Sequence, residues 1–356
     1  MQCSGRALLD GKCARTINEG KGQDVKRKAW RLVLILMLGI PITLMLLALR
    51  REWATRNLLQ EIHNKNVPGA LAALRNGANP NARDYSKDMP LSPGEQAKLF
   101  LTHLLHPTAN SAQDMHPTPL LLIAQSDDCP DNPALVKALL DAGADPNVEN
   151  ADGETPLMQT VMCGDFRLMR LLLTHKIDVR RTDQRGRTAL HWAAWTDSAE
   201  AIDSLLAAGS DLEGRNKAGE TPLHEACKQA ETPAVQALLR HHANLNATDN
   251  EGDTPLHVAS AFGDSKFVDF LLKAGADIES KDHAGWTPLH MTASYRAFDV
   301  VQVLLRHHAN IYARATDGKT ALDTTQNRET IQVLRQAGGK TGHELDAENR
   351  SPHRVR

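Results

Sequence analysis

Aromatic residues are scarce in this sequence, at 4% of the chain. That is too few to furnish one large aromatic core and suits a fold packed from Leu and Ala. An excess of charge of one sign is also missing. Lys and Arg number 41 against 43 Asp and Glu, a formal net charge of -2. This balance removes any global electrostatic case for a nucleic-acid partner. The five cysteines, Cys3, Cys13, Cys129, Cys163 and Cys227, are odd in number and contain no CxxC spacing. A disulfide framework is not expected, and a zinc ribbon is excluded. Ser-x-x-Lys, Gly-x-Ser-x-Gly, His-Glu-x-x-His and Gly-x-x-x-x-Gly-Lys-Ser/Thr are all absent. With no nucleophile or phosphate-cradling set, the expectation is a protein with no catalytic activity, cofactor or small-molecule substrate.

One segment stands apart. Residues 32–49 carry no charge and are nearly all apolar. At 1.5 Å per residue they give a helix about 27 Å long, enough to cross a hydrocarbon core. Trp30 and Trp53 lie at its margins, where indoles prefer to sit. Its exit, Leu-Ala-Leu-Arg-Arg-Glu, lacks the small-x-small pattern of a cleaved signal. The expected arrangement is a basic arm over 1–31 and a single transmembrane helix over 32–49, with the lipid bilayer as one partner. Lys21, Lys26, Arg27, Lys28 and Arg31 precede the span; Arg50, Arg51, Arg56 and Lys65 come after it. This slight bias places the C-terminal part outside the cytoplasm, whereas the unpaired cysteines favour the other side. The alternative is an exported or secreted effector or inhibitor whose apolar segment is a cleaved signal.

The rest of the chain carries an internal period. Thr155-Pro156-Leu157-Met158, Thr188-Ala189-Leu190-His191 and Thr221-Pro222-Leu223-His224 succeed one another at a step of 33 residues. Thr254-Pro255-Leu256-His257, Thr287-Pro288-Leu289-His290 and Thr320-Ala321-Leu322-Asp323 continue it. A glycine precedes each by two, from Gly153 to Gly318, and a Leu-Leu pair keeps the same phase from Leu139-Leu140 to Leu304-Leu305. Gly permits the positive φ of a tight turn. Thr caps the next helix, and Pro fits its first position. A second helix closes at the Leu-Leu pair, with Gly143, Gly209 and Gly275 as left-handed caps. One such unit cannot bury its apolar face alone, but stacked units can.

These residues resemble the ankyrin-repeat family, whose pattern is the T-P-L-H start, the 33-residue step and the L-L-x-x-G-A-D close. The resemblance implies an all-α solenoid of helix-turn-helix units with β-turn fingers. The expected array runs over 117–338, about eight units in all counting an atypical capping repeat at 54–84. The unit at Thr118 carries about four extra residues near Asp127–Asn132. An insertion occupies 85–116, where Ser92 and Glu95 have capping-box spacing and Leu99, Leu101, Leu104 and Leu105 give an apolar side. It reads as a loop excursion packed on the array or as a partner-specific element. The polar tail, 339–356, is expected to be disordered.

The histidines do not make a metal site. His191, His224, His257 and His290 all fall in the T-P-L-H slot, where the resemblance implies a structural role. Adjacent units stack about 10 Å apart, whereas each ligand of a zinc ion lies about 2 Å from it. His242 and His308 occupy the glycine-cap slot, where His tolerates positive φ. Lys176 fills the same slot one pair earlier, so the slot alternates with a 66-residue superperiod. Cys227 falls in the Ala-rich helix and is expected to be buried. Cys163 falls in a more open slot and is the candidate reactive thiol.

The resemblance implies an unknown protein partner, met on a concave face built from turn tips and the free side of each first helix. Mapped here, the tip positions include Arg185, Arg187, Lys217, Glu251, His283 and Trp286. The helix positions include Trp195, Lys228, Gln229, Phe262 and Tyr295. Aromatics and Arg dominate interface energies when desolvated. The joint occurrence of Trp195, Phe262, Trp286 and Tyr295 points to a binding stripe along the groove.

Overall fold

A computed structural model of the chain describes residues 46–84, 117–124, 133–262, 264–295 and 297–350. The expected basic arm, residues 32–45 of the expected span, the insertion at 85–116, the extra residues near Asp127–Asn132 and the last six residues lie outside the described residues. No helix among the described residues is long and apolar enough to cross a membrane.

The chain divides into two compact units at Asn79/Pro80. The first holds a helical hairpin. Residues 46–63 are helical (α1), and Val67–Arg75 forms α2. Helical backbone runs without a break from the last residues of the expected span into the expected capping repeat. The turn uses Lys65 at φ 55°. Asn66 caps α2, its side chain accepting from the Gly69 N–H, and Pro68 sits where a missing N–H is harmless. Ala54, Leu58, Ala70 and Ala73 are buried in the hairpin, while Leu46, Leu47, Leu49 and Trp53 are exposed.

The second unit repeats one motif. Its helix pairs are α3 (Pro119–Ala124) with α4 (Pro133–Asp141), and α5 (Pro156–Cys163) with α6 (Phe166–Leu173). Then come α7 (Ala189–Trp195) with α8 (Ala199–Ala207), and α9 (Pro222–Gln229) with α10 (Thr232–Arg240). The last pairs are α11 (Pro255–Phe262) with α12 (Ser265–Lys273), α13 (Pro288–Tyr295) with α14 (Phe298–Arg306), and α15 (Ala321–Thr324) with α16 (Arg328–Gln336). First helices pack on first helices and second helices on second helices of the next pair. Leu190, Leu223, Leu256 and Leu289 from the Thr-x-Leu-His starts are buried with Leu205, Leu238, Leu271 and Leu304 from the Leu-Leu pairs. Each contributes about 2 kcal/mol of apolar burial. Cys227 is fully buried as expected, and burial pushes its thiol up.

Two ladders tie successive units together. The first is made by histidine. His224 Nδ1 accepts from the Thr221 backbone N–H at 3.1 Å, so its proton sits on Nε2. That Nε2–H donates to the Asp253 carbonyl of the next unit at 3.0 Å. The same rung runs from His191 to Glu220 at 3.1 Å, His257 to Trp286 at 3.1 Å and His290 to Lys319 at 3.3 Å. All four imidazoles are fully buried. The second ladder joins the fingers backbone to backbone. Lys217 N–H donates to Arg185 C=O at 2.9 Å, Asn250 to Ala218 at 3.0 Å and His283 to Glu251 at 2.9 Å. It also gives the tip glycines a second purpose. A Cβ on Gly219 would stand 2.7 Å from the Asn250 nitrogen, and one on Gly252 2.8 Å from the His283 nitrogen. Gly is therefore required there for close approach as well as for φ near 80–87°.

The histidine pairs do two different things. His242 and His308 hold φ 67° and 64°, the expected cap conformation. Their neighbours reach to the preceding unit: His241 Nε2 lies 2.8 Å from Asp203 Oδ1, and His307 Nε2 lies 2.7 Å from Asp269 Oδ1. The 66-residue superperiod thus records a repeated bridge between second helices. Lys176 departs from the expectation. It is not among the positive-φ residues. Helix α6 stops at Leu173, with Thr174 as its cap, and the Ile177 N–H turns back to the His175 carbonyl at 2.7 Å.

The tail also differs from its expected disorder, because Gly342–Arg350 forms a helix, α17. Composition hid the reason, which is tertiary. Asp323 takes the capping role that His plays elsewhere, accepting from the Thr320 N–H at 2.9 Å and from the Gly342 N–H at 2.7 Å. Arg335 grips Glu344 through two bonds of 2.6 and 2.9 Å and holds its carboxyl down at about 2.

The rungs set a pH dependence. Burial lowers the pKa of His191, His224, His257 and His290 below the ordinary 6.5. The unfolded chain therefore takes up protons near pH 6.5 that the folded chain refuses. Stability from the rungs is complete above that pH and is lost as pH falls through the folded values. Urea midpoints are expected to drop between about pH 7.5 and about pH 5; a flat or rising profile would contradict the neutral rung.

Candidate protein-binding face

The turn tips and the free ends of the first helices carry the side chains singled out in the sequence, and the structure sorts them. Trp195, Phe262 and Tyr295 are open, at 40%, 62% and 56% exposure. Each lies at the C-terminal end of its helix, α7, α11 or α13. There a helix has turned away from the buried Leu positions of its first turn. The Phe262 and Tyr295 rings meet, with centroids 6.3 Å apart and planes tilted at 46°. Arg185, Lys217, Glu251 and His283 are also exposed. The side chains of Arg185, Lys217 and Glu251 form no ion pair among the described residues.

Three of the expected residues are engaged in holding the scaffold. Arg187 pairs with Asp183 at 2.8 Å and lies 3.7 Å over the Trp192 ring, an ion pair and a cation–π contact together. Lys228 pairs with Glu220 at 2.7 Å and Glu225 at 3.3 Å. Burial raises the Glu225 carboxyl, and Lys228 offsets part of that. Trp286 is half-buried, with its ring stacked on His290 at 6.4 Å and its carbonyl taken by the rung from His257. Gln229 is half-buried beside Lys228.

The expected stripe is therefore interrupted. The unit carrying Lys228 and Gln229 offers no aromatic between Trp195 and Phe262. Met162, at 36% exposure, lies one 33-residue step before Trp195 and extends the first patch. Reading the Trp195 slot back one period would have found it. Phe298 and Tyr312, at 37% and 46%, were also not singled out. No periodic slot marks Phe298, and the Tyr312 hydroxyl donates to the Gly338 carbonyl at 3.2 Å. Cys163, exposed as expected, sits beside Met162 at the end of α5.

Charge is uneven along the fingers. Asp249, Glu251 and Asp253 occupy one finger with no Lys or Arg among residues 248–253. Burial first, then Asp249, Asp282 and Glu251, raise the Asp253 carboxyl to about 7. Its Oδ1 is buried without a hydrogen-bond partner. No group of three or more His, Cys, Asp or Glu among the described residues is placed to hold a metal ion.

Comparison with known proteins decides the family. A family model for ankyrin repeats in three copies matches residues 120–216 and 198–282, and a second, for many copies, matches 271–324. The chain belongs to the ankyrin-repeat family. The ankyrin-repeat domain of Bcl-3, a member of the IkappaB family, superposes with a TM-score of 0.53 at 28% identity. That match covers 62% of this chain and 98% of that domain. Relatives in sequence share the repeats. A probable E3 ubiquitin-protein ligase of rice, XBOS33, is 40% identical over 74 residues, 20% of this chain and 14% of the ligase. The human transient receptor potential cation channel subfamily A member 1 is 38% identical over 76 residues, 21% of this chain and 7% of the channel. The putative ankyrin repeat protein R664 of Acanthamoeba polyphaga mimivirus is 39% identical over 59 residues, 17% of this chain and 36% of that protein. The chain thus spans only a small fraction of the ligase and the channel, and the likeness to the ligase lies in the repeat region.

The unpaired Asp253 has a measurable consequence. Because the unfolded chain ionises there first, the cost of a native carboxylate builds from about pH 4 and is complete above about pH 7. Asp253→Asn is expected to raise the unfolding free energy at about pH 8 by about 1 kcal/mol. That gain should shrink as pH falls and vanish near about pH 4, where the unfolded chain's carboxyl is protonated as well. Urea titration of both proteins at the two pH values checks the sign; a loss of stability at the higher pH would refute it.

Proposed function

We propose that this ankyrin-repeat protein is a protein-binding scaffold held at a membrane, that it has no catalytic activity of its own, and that its partner docks on the face formed by the fingers and the free ends of the first helices. The observation that carries the binding half is the exposure of Trp195, Phe262 and Tyr295 at the ends of otherwise buried helices. Large aromatics left in water on a repeat scaffold are poised to gain most from desolvation by a partner. Arg185, Lys217 and Glu251 supply charges not paired among the described residues. Arg187, Lys228 and Trp286 serve by fixing the fingers and helix ends that present them.

The membrane half rests on the apolar run of residues 32–49 and on the character of α1. Helical backbone continues from residue 46 to residue 63, and exposed Leu46, Leu47, Leu49 and Trp53 lie beside Arg50 and Arg51. Apolar side chains with an indole and arginines next to them suit the margin of a bilayer. The excess of Lys and Arg before the span favours a non-cytoplasmic array.

A pull-down comparing the wild-type chain with Trp195→Ala/Phe262→Ala/Tyr295→Ala tests the face. Recovery of the partner is expected to fall at least about tenfold with the circular dichroism unchanged; equal recovery would sink the reading. Deletion of residues 32–49 is expected to move the chain from the membrane fraction to the soluble fraction. A reporter fused after Arg356 is expected to read as non-cytoplasmic. Mature protein beginning near Arg50 would instead establish the exported form.

A further inference from the structure

The part of the face around Phe262 and Tyr295 carries more than exposed rings. The two aromatics, from adjacent units, form one apolar patch. The finger leading into α11 is acidic, with Asp249, Glu251 and Asp253, and Asp282 of the next finger adds to the field at Asp253. Three other fingers pair an acid with a cation of their own unit: Arg187 answers Asp183, Lys228 answers Glu220 and Lys319 answers Asp317. The Asp249 finger has no such answer. Asp249 Oδ1 is consumed by the turn, accepting the Glu251 and Asp253 N–H groups at 2.8 and 2.9 Å. Glu251 is exposed, and Asp253 Oδ1 is buried with no partner.

We propose that this patch binds an extended segment of a partner protein that sets a Lys or Arg side chain on Glu251 and Asp253 and a large apolar side chain on Phe262 and Tyr295. The charge complementarity runs one way. A cation fills the place that an in-chain Arg or Lys takes in those three fingers, whereas an acidic segment would meet uncompensated carboxylates. The spacing comes from α11. Its eight residues separate the finger from Phe262 by about 12 Å. An extended chain advances about 3.3–3.6 Å per residue, so the cation and the apolar side chain stand about three or four positions apart. The proposal rests on the reading of this face as the docking surface and specifies what docks there.

The test is a selection with the full chain in detergent against a displayed library of random peptides about twelve residues long, which exceeds the required span. Enriched peptides are expected to pair Lys or Arg with a large apolar residue three or four positions away. Their binding is expected to weaken with rising salt and to fall about tenfold in Glu251→Gln/Asp253→Asn. That variant keeps its fold, which urea titration verifies separately. Enriched peptides without a basic residue, or binding indifferent to Glu251→Gln/Asp253→Asn yet lost in Phe262→Ala/Tyr295→Ala, would overturn the inference and leave the docking face standing. Binding indifferent to both variants, or no enrichment, would overturn both.

Discussion

The rest of the structure depends on one hydrogen-bonded rung made four times. A buried, neutral imidazole accepts a hydrogen bond from the Thr at its own helix start and donates one to a carbonyl of the next unit. Helices of seven to nine residues, such as α7 to α14, are too short to persist alone in water. Each needs a neighbour against which to bury its Leu positions. The rung fixes where that neighbour sits, because it joins a helix start to the base of the next finger. Removing either end leaves a buried donor or acceptor unpaired, a loss of about 1–3 kcal/mol. The finger ladder then repeats at the same spacing, and glycine at the tips from Gly186 to Gly285 is the residue that lets it close.

A scaffold that spends its Thr, Leu and His in this way leaves a fixed set of positions over. Those positions carry Trp195, Phe262 and Tyr295, and they are exposed because the stacking has no use for them. Charge divides in the same way. Arg187 and Lys228 are consumed within their own units, whereas Glu251 and Asp253 are not answered in theirs. The proposed docking face thus keeps exposed apolar rings and acids that the described residues of the chain do not satisfy.

The fold was legible because its signal is redundant. The Thr-Pro-Leu-His starts, the tip glycines and the Leu-Leu pairs keep one phase, so even His242 and His308 were placed correctly as caps. What escaped depends on contacts between positions far apart in sequence. Composition marks the tail as polar, yet Asp323 and Arg335 hold α17 in place. Periodicity puts Lys176 in a cap slot, yet α6 ends early and Lys176 does not adopt the cap conformation. Among the candidate site residues, the period located the slots but not their occupants' engagements. Arg187 over Trp192 and Trp286 on His290 are three-dimensional facts, and Met162 was missed because its slot was read only from Trp195 onward.

The central claim is that the face bearing Phe262 and Tyr295 is where the partner sits. Site-specific photocrosslinking in cells tests it most directly, with a benzophenone amino acid placed singly at Phe262, at Tyr295 and at Lys273, which is exposed on second helix α12. One adduct of the same mass is expected from the positions of Phe262 and Tyr295, with none from that of Lys273. Equal labelling from all three positions, or an adduct confined to the Lys273 position, would contradict the account.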